Sequence, residues 1–461
     1  MPTIQINNLN LGGIAKSAYQ GLQNSVQELV GLDIHSEPGI IKVNQKLTKD
    51  SGTTIDDLVK KILPCSDGYT YLFGSTSGKI WRRDSLGNYT LVRTASPAAG
   101  RAGIKDAIED QGFIYYTMQN RVGRFTIGGA WDDDWATFLS GDSDFHPIIK
   151  VNLIVYIGDG KYVAQIEDGT FTGDALDLKD GLRIKALGTQ GINLLSGTYI
   201  ADNVSLAEIF DWNTWSVSFS SSDPVQEKGI NCFLKTDNYT FVSVGEKGKI
   251  YFYDGQKLTN PKRIPGSWGI GNKATIFQNA AAEYNIPIFG VSNVAGNPCL
   301  QGVYGYGGYD GDYTPVLTLE YIISQAKTSG IQIGAIEPVD EYFLVSWQDG
   351  STKGIDKLDA SNKQASAYFT TRAIAPDRAN QGRVAKVTVP YRTIPDSCEI
   401  QIWKKANYED EFTQMTAIKD NVRKTLYSET SIDEFSTVQI KVVLVSSGNN
   451  APEIEGAEIE I

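Results

Sequence analysis

A short aromatic or β-branched run recurs along this chain at a nearly constant interval, and that recurrence limits the fold more than any other feature. The run reads Thr70-Tyr71-Leu72-Phe73, Phe113-Ile114-Tyr115-Tyr116, Leu153-Ile154-Val155-Tyr156 and Ile192-Asn193-Leu194-Leu195. It continues as Tyr239-Thr240-Phe241-Val242, Pro287-Ile288-Phe289 and Tyr342-Phe343-Leu344-Val345. Anchored at positions 72, 115, 154, 194, 241, 288 and 343, the spacings are 43, 39, 40, 47, 47 and 55 residues. A four-stranded propeller blade takes ~40–50 residues, so the period is that of a blade.

A second feature follows most anchors: a small residue, a polar one, then apolar residues. It appears as Gly78-Lys79-Ile80-Trp81, Gly123-Arg124-Phe125, Gly160-Lys161-Tyr162-Val163 and Ala207-Glu208-Ile209-Phe210. It returns as Gly248-Lys249-Ile250-Tyr251, Gly302-Val303-Tyr304 and Gly354-Ile355-Asp356. An Asx or Gly turn before another strand comes third, as in Asn88-Tyr89, Asp168-Gly169, Asn213-Thr214-Trp215 and Asp254-Gly255. The order is therefore strand, glycine turn, strand, Asx turn, strand. The 46 glycines, with no Gly-X-Y period, supply the turns. One such sheet cannot bury both its faces, so neighbours must stack radially.

The expectation is an all-β chain built around a roughly seven-bladed β-propeller, with six or eight blades compatible with the long last spacings. Unrelated hairpins in β-sandwiches are the competing arrangement, disfavoured because three features recur in one order. Clear WD dipeptides at blade ends are absent, so this is not a WD40 array. The propeller is placed at 63–371, after an N-terminal arm at 1–62 that contains a Gly12-Gly13 turn and a helix-compatible stretch from Ser17 to Val30. Beyond a charged linker, Val384–Val389, Cys398–Trp403 and Val438–Leu444 alternate with period two. They predict a small C-terminal antiparallel β-sandwich at 372–461.

The two ends carry a resemblance. Leu11-Gly12-Gly13-Ile14, Tyr19, Asn24-Ser25-Val26 and Glu37-Pro38-Gly39-Ile40-Ile41-Lys42-Val43 resemble the opening of tailed-bacteriophage virion proteins, which lead through a Gly-Gly turn and a Pro-Gly strand into a propeller. Val438-Gln439-Ile440-Lys441-Val442-Val443-Leu444, Ser446-Ser447, Asn450 and Pro452-Glu453-Ile454 resemble the end of small sandwich domains in phage tail-tip, fibre and nozzle proteins. The resemblance covers about 60 residues and departs from nozzle proteins in lacking a large insertion domain. It implies a virion structural protein of the tail, in a nozzle, tip or hub-type ring. Its partners would be copies of itself in symmetric array and other tail or connector proteins, with a role in assembly and DNA passage.

Composition narrows the chemistry. With 42 basic and 54 acidic side chains the net charge is −12, which argues against specific nucleic-acid binding and against docking on anionic lipid. An acidic lumen would let DNA slide without sticking. No apolar run approaches the ~18 residues of a spanning helix, and the N-terminus lacks the basic and apolar regions of a secretory signal. Cys65, Cys232, Cys299 and Cys398 are widely spaced and read as free thiols of a protein made in the host cytoplasm for the virion.

With two histidines, and with no GxSxG, HExxH, P-loop or sialidase-type Asp box, the chain is expected not to be an enzyme and to need no cofactor. Asp202, Glu246 and Asp340 are candidate carboxylates for a propeller glycan hydrolase, the third-ranked reading. Asp132, Asp133 and Asp134, between Trp131 and Trp135, are weak Ca²⁺ candidates, as are Asp142 and Asp144 near His146. His35, beside Glu37, reads as a structural hydrogen-bonder. The most distinctive segment interleaves Tyr, Gly and Asp: Tyr304, Tyr306, Tyr309, Asp310, Asp312 and Tyr313. It is expected to be a loop that either packs on a neighbouring subunit or contacts a host receptor, glycan or protein.

Overall fold

The computed structural model describes residues 3–15, 21, 24–50, 55–97, 103–141, 144–202, 205–237, 239–265, 267, 273–292, 301–308, 315–325, 330–375, 384, 386–407, 411–419, 424–427 and 435–461. The chain divides into two compact units, one of residues 49–301 and 325–357, the other of 1–48, 302–324 and 358–461.

The first unit is the propeller. Its blade 1 is an antiparallel meander of Val59–Pro64, Thr70–Gly74, Lys79–Arg83 and Tyr89–Thr94. Four more four-stranded meanders follow at 106–137, 148–177, 182–225 and 230–263. The hairpin of Ala281–Tyr284 with Ile286–Val291 comes sixth. Ile331–Val339, Tyr342–Asp349, Thr352–Lys363 and Gln45–Lys49 form, in that order, the seventh sheet. The first strand of each sheet packs against the first strand of the next, and Ile331–Val339 returns to Val59–Pro64 to close the ring. Among the described residues the propeller therefore has seven blades.

Every anchor of the sequence repeat falls in the second strand of a blade. The reason is burial from both sides. Thr70–Gly74 and Thr240–Val244 are buried along their whole length, flanked by strands within the sheet and by a blade on each face. Such strands must be apolar throughout. The interblade cores show the same logic. Tyr71 and Phe73 of blade 1 pack with Ile114, Tyr116 and Phe125 of blade 2, and Leu72 and Trp81 of blade 1 pack with Ala335 and Leu344 of blade 7. The glycine of the second sequence feature does more than turn. Gly123 and Gly354 lie within third strands, directly beneath the rings of Tyr116 and Trp347, where a Cβ would come within 2.2 and 2.6 Å.

Ring closure is held by a buried ion pair. Arg83 Nε donates to Asp50 Oδ2 at 2.6 Å, with both side chains almost inaccessible. Tyr89 Oη donates to the same oxygen at 2.7 Å, and Arg83 Nη1 donates to Tyr342 Oη at 3.0 Å. The Asp50 backbone N–H donates to Ile355 O. Blade 1 supplies Arg83 and Tyr89, and blade 7 supplies Tyr342 and Ile355, so the cluster spans the junction. Burial opposes the guanidinium charge, but the hydrogen bond and charge of Asp50 hold Arg83 above its ordinary range.

The second unit corrects the expected boundaries. Seven of its strands pair in one sheet in the order Gly302–Gly307, Val316–Tyr321, Val26–Val30, Ser366–Thr371, Val438–Val445, Glu399–Ala406 and Thr413–Ile418. Thr3–Ile6, Ala457–Glu460, Lys386–Thr393 and Lys424–Tyr427 form another, with Glu453–Ile454 beside Lys386–Thr393. The period-two segments of 372–461 are indeed strands, but they share their sheets with the arm and with 302–324. The arm does not end at 62 either, since Val59–Pro64 is the first propeller strand. Of the stretch read as helix-compatible, Val26–Val30 is a strand. Val30 pairs with Leu319 on one side and Tyr368 on the other, and two occupied edges override a helical spacing of apolar residues.

Two substitutions test the ring. Asp50→Asn leaves the Arg83 charge buried without its partner and should cost about 3–5 kcal/mol of stability. At Gly334 a Cβ would lie 2.1 Å from Val59 O, across the junction of blades 7 and 1. Gly334→Ala should therefore cost about 1–3 kcal/mol by overpacking. Denaturant unfolding reads both, and a change within about 0.5 kcal/mol for either would mean that the junction is not what holds the ring.

Candidate functional site

The structure disperses the residues singled out from sequence. Tyr304 and Tyr306 lie in the strand Gly302–Gly307, every residue of which is buried, and pair with Leu319 and Leu317. They are core, not a recognition surface, and burial pushes the Tyr306 hydroxyl above its usual range. The alternation of Val or Tyr with Gly that made this segment distinctive is a strand pattern. Tyr309, Asp310, Asp312 and Tyr313 lie outside the described residues, as does Asp142.

Asp132, Asp133 and Asp134 sit on the strand Trp131–Thr137, where successive side chains face opposite ways. Asp133 points inward and is bound by Arg93 Nη2 at 2.6 Å, by the Ser96 N–H at 3.0 Å and by the Tyr116 hydroxyl. Asp134 pairs with Arg121 on the exposed face. The three carboxylates therefore do not converge on one ion, and among the described residues no group of three metal-ligating side chains does. Glu246 is held by Lys228 and Lys273 at 2.9 and 3.1 Å. In the second unit His35 Nε2 is 3.3 Å from buried Glu320, which accepts from Asn44 Nδ2 at 2.9 Å and Thr318 Oγ1 at 2.8 Å.

What sequence reasoning missed is a cavity of about 240 Å³ where the propeller's first strands converge. Each of the seven blades contributes to its wall from its first strand or the segment leading into it, among them Lys60, Lys105, His146, Lys185, Asn231, Gln278 and Gly334. In four of them the residue is the extra one of a β-bulge, between Val59 and Lys61, Ile184 and Ala186, Ile230 and Cys232, and Ile333 and Ala335. A bulge breaks the in–out alternation and re-aims one side chain, here towards the axis. The sequence trace is an apolar residue followed by a polar one, as in Val59-Lys60, Ile104-Lys105, Ile184-Lys185 and Ile230-Asn231. It lies one strand ahead of the aromatic anchors and is far weaker than they are.

The wall is cationic in an acidic protein. Lys60 Nζ sits 3.0 Å from the centre of the Phe277 ring. Lys185 Nζ donates to Asn231 Oδ1 at 2.6 Å and lies 5.1 Å from the Phe145 ring. Burial, with repulsion from Lys105 and Lys185, brings Lys60 down to about 7. Burial also brings Lys185 down to about 8, despite the attraction of Glu246. Of the carboxylates in the wall, Asp106 is already engaged by the N–H groups of Ala107 and Ile148 and by Asn279 Nδ2, and burial raises its carboxyl. Asp144 is exposed at the rim and accepts from the Tyr199 hydroxyl at 3.3 Å. His146 Nδ1 and Nε2 face the carbonyl oxygens of Gly158 and Gln119, and Phe138 stacks on its ring. It is a strut of the wall.

No protein-family model matches the chain, and no curated protein sequence matches it. Solved structures match its fold. The propeller of Dos1 is 11% identical over 68% of this chain and 94% of its own, with a TM-score of 0.44. A catalytically inactive virginiamycin B lyase from Staphylococcus aureus, with quinupristin, is 15% identical over 69% and 98%, at 0.47. The Neurospora crassa Pan2 WD40 domain is 9% identical over 69% and 98%, at 0.48. None of the three is described as a virion protein. The chain is similar to them as one β-propeller is to another.

The lysine ring makes a pH prediction. Between about pH 7 and the ordinary ~10.4 of a lysine, folded Lys60 binds fewer protons than the unfolded chain does. Its contribution to stability therefore rises with pH across that window, and below about 7 its protonation costs stability in full. Lys60→Met should raise the unfolding midpoint below pH 7 and flatten the rise above it. A difference between the two proteins that does not change with pH would refute the assignment.

Proposed function

We propose that this chain is a structural component of a bacteriophage virion, most specifically of the tail, working as copies packed in a symmetric ring. The observation that carries the reading is the meeting of the two end motifs that resemble phage tail proteins. The Pro38-Gly39 turn, closed by the Ile40 N–H on Glu37 O, delivers Ile41 against Ile454 of the Pro452-Glu453-Ile454 motif. The backbones of Ile41 and Ile454 bond reciprocally at 2.8 and 3.2 Å. Glu37 pairs with both Lys42 and Arg392 at 2.7 Å. Gly12 and Gly13 are required by close approach, since a Cβ on Gly12 would come 2.3 Å from the Asn24 backbone and one on Gly13 would come 2.7 Å from Val316. Motifs more than 400 residues apart in sequence thus build one unit together, as an assembly module would require.

An exposed apolar patch on blades 3 and 4 supports self-packing. Leu153, Ile192 and Trp215 are 79%, 59% and 80% exposed. Asn152 Nδ2 ties their loops together by donating to Ile192 O and Thr214 Oγ1. Leu153 also has φ +72°, in a tight turn where glycine is the unstrained choice. An apolar residue kept at a strained, exposed position fits a packing contact. The axial cavity is far too small for a duplex whose major groove alone is ~12 Å wide. In this reading DNA passes through the ring of subunits and not through a propeller. Receptor binding ranks lower, because two of its tyrosines are core.

Mass spectrometry of purified phage particles should find the chain, and imaging should place it in a ring; a monodisperse monomer absent from particles would sink the proposal. Leu153→Gly should stabilise the isolated protein by up to ~1 kcal/mol through relief of φ strain while weakening ring assembly. Trp215→Asp should weaken assembly without altering the circular dichroism. If both variants assemble as the parent does, the patch is not the contact.

A further inference from the structure

The axial cavity has a use that the assembly reading does not supply. Lys60 and Lys185 each reach it without a carboxylate within ion-pairing distance among the described residues. The ammonium of Lys60 has an aromatic face for company, and that of Lys185 has one amide oxygen. Lys105 adds a third positive charge, close enough to Lys60 to disfavour its protonation. Holding the Lys60 and Lys185 ammonium groups in one small space with no carboxylate on either is costly unless negative charge enters with them. The protein's own acids do not meet that need: Asp106 spends its oxygens on backbone and Asn279, and Asp144 stands at the solvent rim. Phe145, Pro147 and Ile276 are among the apolar residues of the wall. At about 240 Å³ the space falls just below the ~300–1,000 Å³ of pockets for drug-sized molecules.

We propose that the propeller's axial cavity binds a small oxyanion, a phosphate or carboxylate group on a short carbon body, with Lys60 and Lys185 as its direct ligands and Lys105 supplying further positive potential. The oxyanion accepts from the two ammonium groups, and its carbon body lies against Phe145 and Ile276. The bulges of blades 1 and 4 set the spacing of the two lysines, so the site exists only when the ring is closed. Neither lysine is used in the unit that carries the end motifs, and the proposal stands or falls apart from the virion reading.

Binding carries a signature that a structural lysine would lack. Both amines titrate near neutrality, at about 7 and about 8, so an anion that stabilises their charged forms must draw protons from solution. The other charged groups around the cavity are Lys61, Lys105, Asp106 and Glu337 near Lys60, and Asp144, His146, Lys228 and Glu246 near Lys185. The sign rests on the two unpaired amines, because Lys228 is neutralised by Glu246 and Asp106 is held by backbone donors.

Isothermal titration of the full chain with inorganic phosphate in one arm and succinate in the other tests this at low salt. The expected result is saturable binding of at least one probe at about pH 6.5, with proton uptake shown by the dependence of the heat on buffer ionisation. Affinity should fall at least about tenfold by about pH 9, as the amines lose their charge. The arm that binds more tightly assigns the phosphate or the carboxylate. Lys60→Met with Lys185→Met should lower affinity at least about tenfold, the loss of two charge-assisted contacts. Should that variant not fold, mass-spectrometric mapping of amine acylation on the parent protein replaces it, and bound anion should protect Lys60 and Lys185 but not Lys257. No saturable heat with either probe, undiminished binding by the folded variant, or no protection would overturn the proposal.

Discussion

Seven twisted sheets close into a ring only if their innermost strands approach almost to backbone contact, and the rest of this propeller follows from that constraint. At the junction of blades 7 and 1 the approach is so close that position 334 can carry no side chain, because Val59 O occupies the place of its Cβ. The Ser346 hydroxyl donates to the same carbonyl, so the tightest point is also hydrogen-bonded. Asp50 and Arg83, with the hydroxyls of Tyr89 and Tyr342, fasten the same two blades. Their cost of desolvation is repaid only when all four are in place, which makes the junction cooperative.

The same geometry explains the cavity. Four of the seven innermost strands depart from strict alternation, at bulges on Lys60, Lys185, Asn231 and Gly334. Each bulge turns one residue towards the axis, so the lining is a by-product of closure whose chemistry is free to vary. Here it varies towards lysine, against the −12 charge of the whole. Some of the acidic side chains have a separate use. Asp57 binds the N–H groups of Thr76 and Ser77, and Asp159 binds those of Leu139 and Ser140. Both carboxylates are buried and tie loops in place. A net charge therefore says little about the field at any one site.

Legibility followed the strength of the physical signal. The second strand of each blade is buried on both faces, must be apolar, and repeats at the blade length, so it was visible. The glycines beneath Tyr116 and Trp347 were visible too, though their role as seats for aromatic rings was not. The Tyr-Gly segment fits two patterns in sequence, the strand pattern Gly302-Val303-Tyr304 and a recognition loop. The structure upholds the strand for Tyr304 and Tyr306. The lysines carry no distinctive sequence signal, because an apolar–polar pair at the start of a strand is common, and for Lys60 and Lys185 it is a bulge that gives direction.

The sequence by itself determined that this chain is β-rich and repeats at the length of a blade, because those properties depend on local spacing and side-chain type. Only the tertiary structure decided that Val26–Val30 is a strand, that both ends and residues 302–324 build one unit, and that Lys60, Lys105 and Lys185 face a common axis. Those outcomes depend on which distant edges are free to pair and on where a bulge turns a side chain. Neither is set by any window of the chain shorter than the whole.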